Sequence, residues 1–206
     1  MTVDTAIWFD LDGTLLRFPE YGAVVARACG AVGVDAVDDF REAYDDAFFD
    51  HLDALDPEPY RRAAAAGLAA VGSDAAAPEF VAALRDAEYD AMPAPPAVRE
   101  TLAGLAGEED VAVGVCTNGV SDWQRGKLRA AGLAEYVDAT VVSDEAGAHK
   151  PDPAPFERAE AAIDATRRVM IGDGEDADVA GARERGWEAV HVEGPADVPE
   201  AVDSVR

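Results

Sequence analysis

The sequence predicts an α/β fold: a doubly wound parallel sheet with a helical module inserted after its first strand. Three observations carry that prediction. Apolar runs too short for buried helices recur along the chain, each followed by a helical stretch, as expected of parallel strands covered on both faces. These runs end abruptly in polar residues able to do chemistry. Between the first run and the second, from about Gly22 to Met92, only helical periodicity is present, and a stretch of that size is too long for a loop.

The elements follow in order. Ala6-Ile7-Trp8-Phe9 reads as a buried strand ending in Asp10-Leu11-Asp12-Gly13-Thr14, two carboxylates two residues apart. Gly13 lets the chain leave the strand at a torsion other residues avoid. Tyr21, Val24, Val25, Ala28 and Val32 recur at helical spacing, as do Phe40, Tyr44, Ala47, Phe48, His51, Leu52 and Leu55 behind an acidic first turn at Asp38-Asp39. Pro57-Glu58-Pro59 punctuates, a third helix covers 60–71, Gly72-Ser73-Asp74 turns, and a fourth covers 78–89. Met92-Pro93-Ala94-Pro95-Pro96 is a stiff return linker, followed by a helix through Leu105. Residues 111–116 form the second strand and end in Thr117-Asn118-Gly119; Ser121-Asp122 caps a helix reaching Ala131, stopped by Gly132. A third strand at 139–142 runs into Ser143-Asp144-Glu145 and His149-Lys150-Pro151-Asp152-Pro153. A helix follows at 155–163, then a fourth strand at 168–171 ending in Gly172-Asp173-Gly174-Glu175-Asp176-Ala177-Asp178. A helix at 179–185 and a strand at 189–192 close the sheet, and the chain from Glu193 onward, with Pro195 and Pro199, reads as a peripheral tail. The expected domains are a core of 1–16 and 93–206 and a helical module of 17–92.

Charge narrows the function. A net charge of −25 excludes nucleic acid and anionic membrane surfaces as expected partners. Lysine is nearly absent: Lys127 and Lys150 are the only two, and arginine supplies the remaining positive charge. High acidity with scarce lysine is the expectation for a halophilic protein, since the Debye length falls to about 3 Å at 1 M salt and self-repulsion is muted. No apolar stretch approaches the ~20 residues that span a bilayer, and Thr2-Val3-Asp4 leads straight into the first strand, so the expected location is cytoplasmic. Cys29 and Cys116 read as small buried hydrophobes, and His51, His149 and His191 have no zinc-type spacing.

A parallel sheet places its strand ends on one edge, so Asp10, Asp12, Thr117, Lys150, Asp173 and Asp178 become neighbours there. In this order the segments resemble the four motifs of the haloacid dehalogenase-like (HAD) hydrolase superfamily. Asp10-Leu11-Asp12-Gly13-Thr14 resembles motif one and Thr117-Asn118-Gly119 motif two. Ser143 through Pro153, with Phe156, resembles the segment around motif three; Gly172-Asp173 through Asp178, followed by Val179-Ala180-Gly181-Ala182, resembles motif four. Gly174 departs from a common serine and Ala177 from a common asparagine, which puts the arrangement around Asp173 in question rather than Asp173 itself. The resemblance implies a Rossmann-like core with an alpha-helical cap, and a Mg²⁺-dependent phosphatase that passes through a phospho-aspartate.

It also implies roles. A phosphate monoester would meet carboxylates repelling it by roughly 4 kcal/mol per pair at 4 Å and a surface-like dielectric; Mg²⁺ reverses that sign. Asp10 and Asp173 would supply side-chain ligands and Asp12 its backbone carbonyl. Lys150 is the one fixed positive charge the sequence places at the mouth. Asp10 would be the nucleophile and Asp12 the acid and base. Thr117, Asn118 through its backbone N–H, and Lys150 would hold the phosphate. Asp178 would orient Lys150 or a metal-bound water, with Asp176 taking its place if the register shifts. Family members that remove halide lack the acid at Asp12, so its presence argues for phosphate chemistry. A phosphosugar mutase of the same family shares these motifs, and a phospho-aspartate signalling or binding protein is the remaining alternative. The substrate is expected to be a small phosphorylated metabolite such as phosphoglycolate, a sugar phosphate or a nucleoside monophosphate. Arg17, Tyr21, Arg61 and Arg62 are candidates for facing it, or else ion-paired surface groups. The expected assembly is a monomer or small homo-oligomer.

Overall fold

The computed structural model describes residues 2–206. In chain order the elements are β1 (Val3–Phe9), α1 (Tyr21–Ala31), α2 (Val37–Asp53), α3 (Pro59–Ala70), α4 (Ala77–Ala91), α5 (Pro96–Leu105), β2 (Val111–Thr117), α6 (Ser121–Ala130), β3 (Ala139–Val142), α7 (Ser143–Ala146), α8 (Pro153–Ala162), β4 (Ala165–Gly172), α9 (Gly181–Glu184), β5 (Glu188–His191) and α10 (Val198–Ser204). The chain divides into two compact units, one joining the chain up to Phe18 with Met92–Arg206, the other Pro19–Ala91.

The first unit is built on a five-stranded sheet of order β3-β2-β1-β4-β5, parallel at every pairing. Alternation along the strands decides what each face buries. Ile7 and Phe9 lie beside Val113 and Val115 on β2 and Val169 and Ile171 on β4; this face packs on Val98, Leu102 and Leu105 of α5 and Leu128 of α6. Ala6 and Trp8 point the other way, with Cys116 and Met170, onto Phe156 and Ala159 of α8 and onto Trp187. Gly114 makes room for Trp8: a Cβ there would stand 2.3 Å from the indole. Both cysteines are buried free thiols, as expected.

The second unit is helical. Here α2 packs on α3 and α1 on α4, around an aromatic cluster in which the Phe40 and Phe80 rings lie 4.6 Å apart and Tyr44 and Phe80 5.6 Å apart. Asp38 and Asp39 do lie in the first turn of α2, where the helix dipole favours them.

Several expectations need correction. The tail is not peripheral: Val198, Ala201, Val202 and Val205 on and beside α10 are buried in the same core as Ile7 and Phe9. Pro199 stands in the first turn of α10, where a missing N–H costs nothing, so the prolines signalled a helix start and not its absence. β1 starts at Val3 and β4 at Ala165, each three residues earlier than the apolar signal; exposed Asp4 and Thr166 interrupt the early residues, so no apolar run marks them. Ser121 does not cap α6 with its own side chain. Asp144 does so from α7, accepting hydrogen bonds from the Ser121 N–H at 2.8 Å and from the Ser121 hydroxyl. Among the described residues no helix is long and apolar enough to cross a membrane.

Candidate active site

The strand order reverses between β1 and β4, and a ligand in an open α/β sheet sits beyond the carboxyl ends of the strands at such a point. Asp10 follows β1 directly, its N–H still bonded to the Ile171 carbonyl of β4 at 3.0 Å. The chain then doubles back, with Gly13 N–H donating to Leu16 O at 2.8 Å. Gly13 has φ +93°, and a Cβ on it would stand 2.3 Å from Asp173 Oδ2. The space a side chain would fill is occupied by a carboxylate from the end of β4.

That carboxylate is held by a residue to which the sequence reading gave no role. Thr14 donates its hydroxyl to Asp173 Oδ1 at 2.8 Å and accepts from the Asp173 N–H at 3.0 Å. Beyond Asp173 the chain makes a wide helical turn at Glu175–Ala180 with π character, a geometry often found at functional sites. It delivers buried Asp178, not exposed Asp176, to the centre. The Gly174 N–H donates to Asp178 Oδ2 at 2.9 Å, and a Cβ on Gly172 would stand 2.3 Å from that same oxygen.

Asp10, Asp173 and Asp178 each present a carboxylate oxygen, and these oxygens lie within 4.8 Å of one another. Three hard, anionic oxygen donors at that spacing suit a divalent cation. Lys150 sits against two of them, its buried Nζ 2.8 Å from Asp10 Oδ1 and 2.5 Å from Asp178 Oδ1, and donates to the Cys116 carbonyl at 2.7 Å. Burial works against its ammonium, but the Asp10 and Asp178 carboxylates outweigh that and raise its pKa. For Asp10 burial dominates: it pushes the carboxyl up to about 7, against the pull of Lys150 and with a further push from Asp178. A divalent cation among these oxygens would draw that pKa back down.

The Asn118 side chain is turned to Lys150: its Oδ1 accepts from the Lys150 N–H at 2.8 Å and its Nδ2 donates to the Lys150 carbonyl at 3.2 Å. Both ends of the Asn118 amide are thus engaged with the Lys150 backbone. Thr117, buried at the end of β2, accepts from Gln124 Nε2 at 3.0 Å and donates to the Asn118 carbonyl at 3.3 Å. The peptide between Lys150 and Pro151 is cis.

Asp12 lies apart from the three clustered acids. Lys127 Nζ donates to both its oxygens, at 3.0 and 2.8 Å, and Gln124 Nε2 to one of them at 2.9 Å. Lys150 is therefore not the one fixed positive charge at the strand ends. Both lysines of the chain are buried there, one on each aspartate of the first motif. The sequence held a signal for Lys127 and Gln124, three residues apart on the helix after Thr117-Asn118-Gly119, but nothing in it showed that α6 would aim them at Asp12. Within the helical unit Arg61 pairs with Glu58, and Arg62 donates to the Pro57 carbonyl at 2.9 Å.

The comparisons agree with this geometry. The model of the haloacid dehalogenase-like hydrolase family matches residues 5–186. The ribulose-1,5-bisphosphate 5-phosphatase of Halopiger xanaduensis is 29% identical over 97% of this chain and 89% of its own length. The phosphoglycolate phosphatase of Caulobacter vibrioides is 34% identical over 89% of this chain and 80% of its own. Among solved structures, the 2-haloacid dehalogenase of Pseudomonas syringae pv. Tomato superposes with a TM-score of 0.71 at 25% identity, covering 98% of this chain and all of the other. A parallel sheet with an inserted helical cap, acids gathered at its switch point and a family match over most of the length lead to one statement: this chain is an enzyme of the haloacid dehalogenase-like hydrolase family.

Proposed function

We propose that the protein is a phosphatase that hydrolyses a small organic phosphate monoester in two steps through Asp10, with Mg²⁺ held by Asp10, Asp173 and the Asp12 backbone carbonyl. The observation that supports this most is the setting of Asp10: a buried carboxylate at the switch point, against Lys150 and beside two further acids. The donor set is all oxygen and largely anionic, which suits Mg²⁺. The bound ion would screen substrate phosphate from the carboxylates and keep Asp10 ionised.

Asp10 attacks phosphorus; the bond from phosphorus to the ester oxygen breaks, and its electron pair leaves on the alcohol oxygen, which takes a proton from Asp12. Water then attacks the phosphorus of the acyl phosphate and gives a proton to Asp12. The bond to Asp10 breaks, freeing phosphate and restoring the carboxylate. Lys150 draws negative charge off Asp10 and the transferring group, and the Thr117 hydroxyl and Asn118 N–H donate to phosphoryl oxygens. Asp178 keeps Lys150 in place. The helical unit, 17–92 by sequence, is the part proposed to select the substrate, a small phosphorylated metabolite of the kinds that the curated relatives' names describe. The enzyme is proposed to be cytoplasmic and to work in concentrated salt, which its acidity and scarce lysine support.

The test is a panel of phosphate esters assayed for phosphate release with Mg²⁺ and with chelator. Turnover is expected with Mg²⁺ alone. Asp10→Asn is expected to cost about 10³-fold or more, and Asp12→Asn about 10²- to 10⁴-fold. An Asp10→Asn enzyme of normal rate would remove the covalent scheme. Return of the phosphoryl group to substrate without phosphate release would make the protein a mutase.

A further inference from the structure

We propose that Gln124 and Lys127 are positioning residues that fix the Asp12 carboxylate for proton transfer and tie it to the Thr117 hydroxyl, the group proposed above to hold the phosphate. The inference rests on the phosphatase reading above and adds two side chains to it. Both are buried and lie three residues apart on α6, so both project from one face toward the strand ends. Lys127 reaches both Asp12 oxygens, leaving the carboxylate little freedom to rotate.

Gln124 supplies the link. Its amide nitrogen meets three acceptors: Asp12 Oδ2 at 2.9 Å, Thr117 Oγ1 at 3.0 Å and the Asn118 carbonyl at 3.3 Å. Only the NH₂ end of the amide can face a carboxylate and a carbonyl at those distances, because the oxygen end would be repelled by both. Since Thr117 Oγ1 accepts from Gln124, its own hydrogen is the donor: it lies on the Asn118 carbonyl at 3.3 Å and would turn to a phosphoryl oxygen in the reacting complex. A single amide thus sets the angle of the acid and the polarity of the phosphate-binding hydroxyl. The general acid must lie on the leaving-group side of phosphorus and the hydroxyl against an equatorial oxygen, so their relative placement matters to the reaction.

A leaving group that needs no proton separates positioning from general damage. The ratio kcat/KM reports the first phosphoryl transfer, and 4-nitrophenyl phosphate releases a stable phenolate while an alkyl phosphate needs the Asp12 proton. Lys127→Met is expected to lower kcat/KM for the alkyl ester by about 10²-fold and for 4-nitrophenyl phosphate by less than about tenfold, the pattern also expected of Asp12→Asn. Gln124→Met should share that bias and raise the inhibition constant of inorganic phosphate, whereas Lys127→Arg should recover part of the alkyl activity. Melting temperatures provide a readout independent of turnover. Asp12→Asn and Lys127→Met should each lower Tm, and the double variant should fall by less than their sum, because both changes remove the same Asp12–Lys127 contact. Equal losses on both esters, or Tm shifts that simply add, would overturn the proposal. A wild-type protein that releases phosphate from no ester with Mg²⁺ would instead overturn the phosphatase reading. Activity lost in Asp10→Asn, with the ester ratio unmoved in Lys127→Met and Gln124→Met, would sink the positioning role alone.

Discussion

Asp10 illustrates how one residue's surroundings dictate its chemistry. Its carboxyl lies buried between an ammonium and further carboxylates, and burial moves its pKa from the ordinary 3.8 to about 7. Below about pH 7 the group therefore carries a proton that a bound cation must displace, so Mg²⁺ affinity should weaken as pH falls through that value, by at most about tenfold per unit. Calorimetric titration at pH 5.5, 6.5 and 7.5 checks this, with proton release largest at the lower values. A carboxyl whose folded pKa is raised favours the fold below its unfolded pKa, and that contribution is lost as pH rises from 3.8 to about 7. Chelated protein should lose melting temperature across that window, and added Mg²⁺ should restore it. Gly13 makes a second residue-scale case. Gly13→Ala combines a positive φ with a Cβ 2.3 Å from Asp173 Oδ2, so it should cost about 1–3 kcal/mol and weaken Mg²⁺ binding. Thermal melts and a metal titration of the variant measure both.

At the scale of elements, the site depends on where three strands end and how one helix is aimed. β1 and β4 deliver Asp10 and Asp173, β2 delivers Thr117, and α6 carries Gln124 and Lys127 to Asp12. The aim of α6 rests partly on Asp144, which caps its first turn from a neighbouring element. Asp144→Ala should cost about 1 kcal/mol of stability, as loss of a helix cap does, and should lower turnover without removing any group that touches substrate. Comparing Tm and kcat of that variant with Asp122→Ala, on the same first turn, would show whether the cap matters. The element that sequence reading misjudged is α10. Val198, Ala201, Val202 and Val205 do recur at helical spacing, but over barely two turns and beside Pro195 and Pro199, so the prolines outweighed a short signal; these side chains close one face of the sheet.

For the whole molecule, charge is the distinguishing property. The acidic excess lies among surface residues, where ion pairs such as Arg125–Glu145 and Arg167–Glu188 use arginine, and exposed pairs of that kind each contribute little. Both lysines are instead reserved for the strand-end site. With a net charge of −25, stability should rise with ionic strength as repulsion is screened. Melting temperature measured from dilute buffer to molar KCl checks this, and an unchanged value would remove the proposal of a high-salt habitat.

The sequence by itself determined the α/β class, the order of the strands along the chain and the acids that end them. Apolar runs closed by Asp10, Thr117 and Asp173 are local patterns, and a parallel sheet can place such ends only on one edge. Only the tertiary structure decided which side chain meets which. Asp178 rather than Asp176 enters the cluster because the Glu175–Ala180 turn is wide, Asn118 turns to the Lys150 backbone, and Lys127 reaches Asp12 across 115 residues of chain. Those pairings depend on helix direction and on the room that glycines such as Gly13 and Gly172 leave for neighbouring carboxylates. Such properties arise where distant segments pack together, and no local stretch of sequence contains them.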